Sequence, residues 1–421
     1  MVYTLILLSI ATLLLTPSSY NFIPVLLTLI TLVHSLQERV KKKDSDILSV
    51  GDTLCISEYQ YRIKWLKNIS ISLVLYFLIF VLYRFAMNGH NSEMDNPSRA
   101  LLFLPLLWMP FRLNLRRVLD MIFIGSALGS IVAAVVSSYG KWILHAERAF
   151  PQKYMYIQAG DMSMSLALFS LLGLFWGIQK KRYGVIGITL IGFLSGVFAS
   201  VISGSRGGWV ILIPVLIWLV FLYRQIIGKK LIVAVSAFFA IAVFVFVAIP
   251  QTGISDRYHE TIHNVNLYEK NDSNTSIGLR FEMWKSAWIA IQERPIVGWG
   301  VQGMQHKKEE LISQHVVSPE IRDFTHVHNQ YLNDWAERGL FGLLSLLSIF
   351  TVPFIVCIRY MLKAVKGSPQ YVMAVLGAIH ILAVFSYGLS QGFLEHNSGN
   401  MFYFFILSLF MGLLLHSREN E

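Results

Sequence analysis

What most constrains this chain is its punctuation: apolar runs of about 16–24 residues recur from end to end, separated by short basic clusters. A helix rises roughly 1.5 Å per residue, so runs of this length cross a hydrocarbon core of about 30 Å. In such a core every backbone polar group must be satisfied within the segment, which leaves helices as the solution for apolar runs of this kind. The pattern predicts an all-α, polytopic integral membrane protein of about twelve spans. They lie near 2–16, 21–36, 68–87, 98–111, 118–138, 159–178, 184–202, 208–223, 231–249, 339–358, 370–393 and 399–416. Of the 421 residues 55% are hydrophobic and 14% charged, where a soluble domain carries roughly 25% charged. No internal repeat and no separate soluble domain is visible, so residues 1–421 read as one membrane domain. The first run, Val2 to Thr16, has neither a basic leader nor a small-residue cleavage site and reads as a retained span.

The net charge of +10 does not mark a nucleic-acid partner. Basic clusters mark every second loop, and the short loops between are nearly free of them: Arg39 with Lys41, Lys42 and Lys43; Arg112 with Arg116 and Arg117; Lys180, Lys181 and Arg182; Arg224, Lys229 and Lys230; Arg359, Lys363 and Lys366. The positive-inside rule puts these loops and both termini in the cytoplasm. Two outward loops stand out, one around 203–208 and a long one at 251–327 between the ninth and tenth spans. A connection far longer than roughly 15 residues is usually functional or disordered. This one carries Trp284, Trp288 and Trp299 in a helical pattern and reads as partly helical. Cys55 and Cys357 supply no disulfide framework.

Three outward segments carry candidate chemistry. In the long loop, Phe281, Trp284, Trp288 and Ile291 fall on one side of a helix, with Arg280 at the edge of that stripe. Tryptophans suit the membrane interface, which sets Arg280 at headgroup level. A snorkelling arginine fits there equally well. In SGSRGGW, Gly204, Gly207 and Gly208 let backbone approach a ligand, and Arg206 offers a planar fork for phosphate oxygens or simply anchors a helix end. In THVHNQYLNDWAERGLFG, a helix of 328–338 leads from the interface into the tenth span. If His328 starts it, Tyr331, Trp335 and Arg338 share its face. Aromatic rings stack on apolar sugar faces while an imidazole handles a proton. Asn329, Tyr331, Trp335 and Arg338 are therefore candidate sugar or acceptor contacts. Gly339 and Gly342 permit a kink, and His326 reads as a neighbour with no chemical role. Asp44-Ser45-Asp46 mimics the DxD of nucleotide-sugar enzymes but reads as a solvated turn. His380 reads as a helix-packing residue, and Glu395 and His396 as a last outward loop that could line the site. No cluster has metal-ligand spacing.

His328-Asn329, nine residues, Gly339, two residues and Gly342 resemble the signature of the O-antigen ligase family, WaaL, whose superfamily also holds O-antigen polymerases and protein O-oligosaccharyltransferases. Its other marks, an arginine in a small-residue loop between spans and one in the long periplasmic loop, match Arg206 and Arg280. The resemblance implies an inner-membrane glycosyltransferase with a periplasmic active site. Its donor would be O-polysaccharide on undecaprenyl pyrophosphate, and its acceptor a sugar hydroxyl of lipid A-core. Arg206 and Arg280 would hold the pyrophosphate and His328 would be the base, in an inverting displacement that uses no metal, nucleotide or other cofactor. A polymerase, with the same donor and a lipid-linked glycan acceptor, and a protein O-oligosaccharyltransferase remain open. A transporter fits less well, since the unusual polar residues gather at one face and not at mid-membrane.

The charge alternation has a direct check. A cysteine at Ser273 is expected to react with a membrane-impermeant thiol reagent from the periplasm, while Cys55 stays protected. The opposite labelling would invert the topology.

Overall fold

The computed structural model describes residues 2–42, 53–108, 113–146, 148–151, 153–205, 207–224, 254–270 and 272–416, with isolated positions at 228, 233 and 237. The predicted ninth span falls outside these except for Val233 and Ala237, as do Asp44, Ser45, Asp46 and Arg206. The regular elements of the described residues are all helices, without strands.

Among the described residues seven helices are long and apolar enough to cross a membrane: Glu58–Ala86, Leu115–Ile143, Tyr156–Gln179, Tyr183–Ser203, Gln330–Lys363, Pro369–Gly388 and Asn397–His416. Val2–Ala11, Ser19–Val33 and Gly207–Tyr223 are shorter apolar helices. Tyr156–Gln179, Pro369–Gly388 and Asn397–His416 are 94%, 89% and 100% buried over their apolar windows, which makes them the centre of the bundle. Small residues let their neighbours close in. A Cβ on Gly192 would lie 2.4 Å from the Ala127 backbone, so the Tyr183–Ser203 and Leu115–Ser138 helices touch main chain to main chain. At the edge, Ile71, Leu75, Leu78, Leu82 and Phe85 stay exposed on one face of Thr53–Ala86. A stripe that large on a soluble protein would be a liability; here it meets lipid.

Two predicted spans change shape. Of the predicted span at 98–111, the described residues 98–108 form no continuous helix but two four-residue turns, Arg99–Leu102 and Leu104–Leu107. Pro105 has no N–H to continue the ladder, so the chain re-starts there. The predicted span at 370–393 stops at Gly388, and residues beyond it form a loop with a short turn, Phe393–Glu395, before the last helix.

The long loop folds on a core of its own. Helices Ile254–Glu269, Gly278–Glu293 and Gly300–Ser313 lead to the turn Pro319–Ile321. Met283, Ala287, Ala290, Met304, Leu311 and Ile321 pack together with Ala336, apart from the bundle core. The buried face of Gly278–Glu293 is thus its small and aliphatic side. Ile291, assigned by pattern to the tryptophan stripe, belongs to this buried side, while Trp288 is exposed and stacks edge-on against Trp335.

This layer is fastened to the bundle by a backbone crossing, beside which the Tyr83 hydroxyl donates to Val297 O at 2.7 Å. The helix beginning at Gln330 breaks at Gly339, with φ 61° and ψ −160°, and resumes as a span to Lys363. The freed Leu340 N–H donates to the carbonyls of Pro295 and Ile296 at 2.9 and 3.1 Å, and Trp299 N–H donates to Ala336 at 3.0 Å. A Cβ on Gly298 would come within 2.5 Å of Gly339 N, and one on Gly339 within 2.0 Å of Ile296 O. A left-handed φ costs an L-residue about 1–2 kcal/mol, and overpacking adds about 1–3 kcal/mol. Gly339→Ala is therefore expected to lower the thermal midpoint of the detergent-purified protein. Gly303→Ala, inside the Gly300–Ser313 helix with its nearest neighbour 3.4 Å away, should leave that midpoint unchanged or raise it. Equal melting of Gly339→Ala and the unaltered protein would show the crossing to be dispensable.

Candidate functional site

The His328 backbone is set from both sides. Its φ is 50°, left-handed and uncommon for a residue with a side chain. Before it, Val327 N–H donates to Asn333 Oδ1 at 3.3 Å. After it, Asn329 caps the helix, its Oδ1 accepting from Tyr331 and Leu332 N–H at 3.1 Å each. Asn329 Nδ2 also donates to Leu389 O at 3.1 Å, tying the cap to the last loop. His328 thus precedes the helix and does not start it. Its ring is aimed by backbone, with Nδ1 buried and unpartnered.

That ring lines an open cavity of about 270 Å³. Arg280, from the first turn of Gly278–Glu293, lines it too, as do Gly204, Ser205 and Gly207, which flank Arg206. Arg206 itself lies outside the described residues. The sequence reading missed Arg148, which lines the same cavity and lies 5.2 Å from the Tyr156 ring centroid. The signal was present: Lys141, Arg148 and Lys153 are basic residues in a loop that the charge alternation leaves outward. Two helices of more than three turns begin at this cavity, Gly207–Tyr223 and Gly278–Glu293. Their N-termini add partial positive charge to the arginines, so the cavity favours an anion.

The residue before Arg206 is pinned to the bundle. Ser205 Oγ donates to Asp161 Oδ1 at 2.7 Å, and Gln391 Nε2 donates to Asp161 Oδ2. All three side chains are buried. Asp161 thereby joins the 204–207 turn to the loop that also receives Asn329. Sequence spacing carries no signal for this, since the partners lie 44 and 230 residues apart.

Tyr331, Trp335 and Arg338 share a helix face by spacing but reach three different partners. The Tyr331 hydroxyl donates to Phe385 O at 2.7 Å and Trp335 Nε1 to Pro295 O at 3.0 Å. Arg338 is buried between Asp334 and Glu337, at 2.8 and 2.9 Å, and lies 3.8 Å over the Phe80 ring. None of the three lines the cavity of His328 and Arg280. Arg338 lines a second cavity, of about 370 Å³, together with His326, His396, Glu93, Glu337 and Glu395. The His326 and His328 ring centroids are 4.5 Å apart, so the two histidines stand between the cavities. His380, deep in the bundle, bonds the Tyr403 carbonyl at 3.1 Å and joins neither site. Among the described residues no group of three metal-ligating side chains is gathered.

Burial is the main reason that His328 resists protonation, with further contributions from His326, Arg280 and His396; together they push its pKa down to about 3. His326 is lowered by burial and partly restored by Glu395. His396 is lowered by burial and by His326, against the pull of Glu395. His328 is therefore a neutral imidazole at neutral pH, able to accept a proton and made a stronger base by any anion that offsets Arg280.

Two comparisons bear on this arrangement. The O-antigen ligase family model matches residues 190–347, which contain Arg206, Arg280, His328, Gly339 and Gly342. A protein of Haemophilus influenzae described as uncharacterized is 35% identical over 406 residues, covering 95% of each chain.

The electrostatic link between Arg280 and His328 has a signed consequence. A nearby cation disfavours imidazolium, so its removal must raise the His328 pKa. In Arg280→Ala the loss of His328 reactivity toward diethyl pyrocarbonate, followed by mass spectrometry as pH falls, is expected to move to higher pH. In Arg280→Lys it should stay low. Superimposable profiles for all three proteins would show that Arg280 does not act on this ring.

Proposed function

We propose that this chain, which belongs to the superfamily of O-antigen ligases and polymerases, is an O-antigen ligase of the bacterial inner membrane. It would transfer O-polysaccharide from undecaprenyl pyrophosphate to a sugar hydroxyl of lipid A-core at the periplasmic face. The observation that carries this reading is the convergence of His328, Arg280 and the 204–207 turn on one cavity, although they are spread over 125 residues of sequence. A cationic cavity at the ends of membrane helices suits a pyrophosphate whose lipid tail stays in the bilayer.

The residues divide the chemistry as follows. Arg280 and Arg206, with Arg148 as a third cation, hold the pyrophosphate and stabilise it as it departs. The bond from the anomeric carbon to the pyrophosphate oxygen breaks, and its electron pair leaves with the phosphate. The acceptor oxygen bonds to the opposite face of that carbon, which inverts it, and His328 takes the hydroxyl proton. The glycosyl–pyrophosphate bond that breaks supplies the driving force, so the step calls for neither nucleotide nor metal. Binding of the anionic donor beside Arg280 raises the basicity of His328, so the base strengthens once the donor is in place.

A polymerase would use the same donor chemistry with a lipid-linked glycan as acceptor, and a deletion strain separates the two. Full-length polymer stranded on undecaprenyl pyrophosphate is expected from loss of a ligase; accumulated single repeat units would identify a polymerase instead. For the residues, His328→Ala at matched membrane level should still bind donor and lose about 10²–10⁴-fold in turnover. Arg280→Ala should weaken donor binding, and Arg280→Lys should recover only part, because an ammonium keeps the charge and loses the fork. Full turnover by His328→Ala would end the general-base assignment.

A further inference from the structure

The second cavity has no task in donor binding, yet it shares a wall with the first. Its volume of about 370 Å³ is ample for a sugar ring. Its charge is of the other sign. Three carboxylates line it, Glu93, Glu337 and Glu395, against one guanidinium, Arg338, which is also bonded to Asp334. Glu395 is held in place by Gln330 Nε2 and Asn333 Nδ2, which donate to its Oε1 at 3.1 and 3.2 Å. Gln330 in turn accepts from Leu394 N–H at 2.8 Å, which fixes the turn that carries Glu395. His326, which lines the same cavity, has its Nε2 buried with no hydrogen-bond partner. This is a built site: a carboxylate positioned by two amides, an idle imidazole nitrogen, and the cavity that both line.

We propose that this cavity seats the acceptor, and that the group it takes is an uncharged, hydroxyl-rich sugar at the end of a lipid-anchored oligosaccharide. The assignment rests on the donor reading of the first cavity. Carboxylates accept hydrogen bonds from sugar hydroxyls and repel phosphate, so the two cavities sort the substrates by charge: pyrophosphate to the arginines, neutral sugar to the glutamates. The pair His326–His328, 4.5 Å between centroids, marks the border where an acceptor hydroxyl from one side meets the donor carbon from the other. His326 and Glu395 act here as acceptor-positioning residues, a role that the sequence reading did not give His326.

Cysteine protection tests the assignment without relying on turnover. In a Cys55→Ser, Cys357→Ser background, Ser92→Cys reports on the second cavity and Ser276→Cys on the first; both serines are exposed and line those cavities. Val301→Cys, on the second cavity's other wall, is an independent reporter. Labelling by an impermeant maleimide is followed with the protein in nanodiscs. Rough lipopolysaccharide ending in an uncharged sugar, at about ten times its Kd, should slow labelling at positions 92 and 301 about tenfold and leave position 276 unchanged. Undecaprenyl pyrophosphate should do the reverse. Protection of position 92 by the donor lipid, by neither lipid, or equally by rough lipopolysaccharide phosphorylated on its terminal sugar would overturn the acceptor assignment. Failure of undecaprenyl pyrophosphate to protect position 276 would overturn the donor reading itself, so the two failures are distinct.

Discussion

The backbone crossing of Gly298 and Gly339 is the constraint on which the rest of the structure depends. At this point the long loop, with its own small core, is bonded main chain to main chain to the helix that becomes a span. The crossing acts together with bonds that hold Gly278–Glu293 to the segment before Gln330, where Ser318 N–H donates to Glu282 and Lys285 donates to Val316 O. Arg280 rides on the first of these and His328 on the second. Their meeting is therefore a property of the loop core and the crossing before it is a property of either side chain. Two glycines are needed because each backbone lies where the other's Cβ would be.

Electrostatics then divides the space that the crossing creates. On one side of the histidine pair lie arginines and helix N-termini, on the other glutamates. Burial does most to weaken His328 as a base, and Arg280, on the proposed reading a pyrophosphate ligand, adds to it. Occupation by the donor offsets the part due to Arg280. On the proposed reading, base strength is coupled to donor binding through charge alone, with no moving part.

Much of this was legible in sequence because the signals were local. Apolar runs and alternating basic clusters show a helical membrane protein. The glycines after His328 mark the kink, and Arg280 and the glycine turn around Arg206 stand out as polar features at outward helix ends. The rest needed three dimensions. Asp161 pins the Arg206 turn through Ser205 and Gln391, contacts that no periodicity encodes. On Gly278–Glu293 the tryptophans dominated the pattern, yet Ser286, Ala287 and Ala290 form the buried side, because small residues permit close approach of the neighbouring helix. Tyr331, Trp335 and Arg338 do share a helix face, but a face eight residues long passes three neighbours in turn, and each side chain bonds a different one.

The aromatic residues of the histidine motif thus support the site and need not touch substrate to matter. Tyr331 bonds Phe385 O beside the loop that accepts Asn329, and Trp335 bonds Pro295 O, whose own N-terminal helix carries Arg280. Each clamps the helix after His328 to a separate element of the cavity wall. On the proposed reading the acceptor oxygen, donor carbon and leaving oxygen must lie in line with the base on the acceptor's proton, and small misplacements of such groups are costly in rate. Clamps of this kind hold that geometry steady as substrate enters and leaves. On this argument the motif extends past its histidine because the histidine has to be held still from several sides, and the side chains that follow it are the means of holding it.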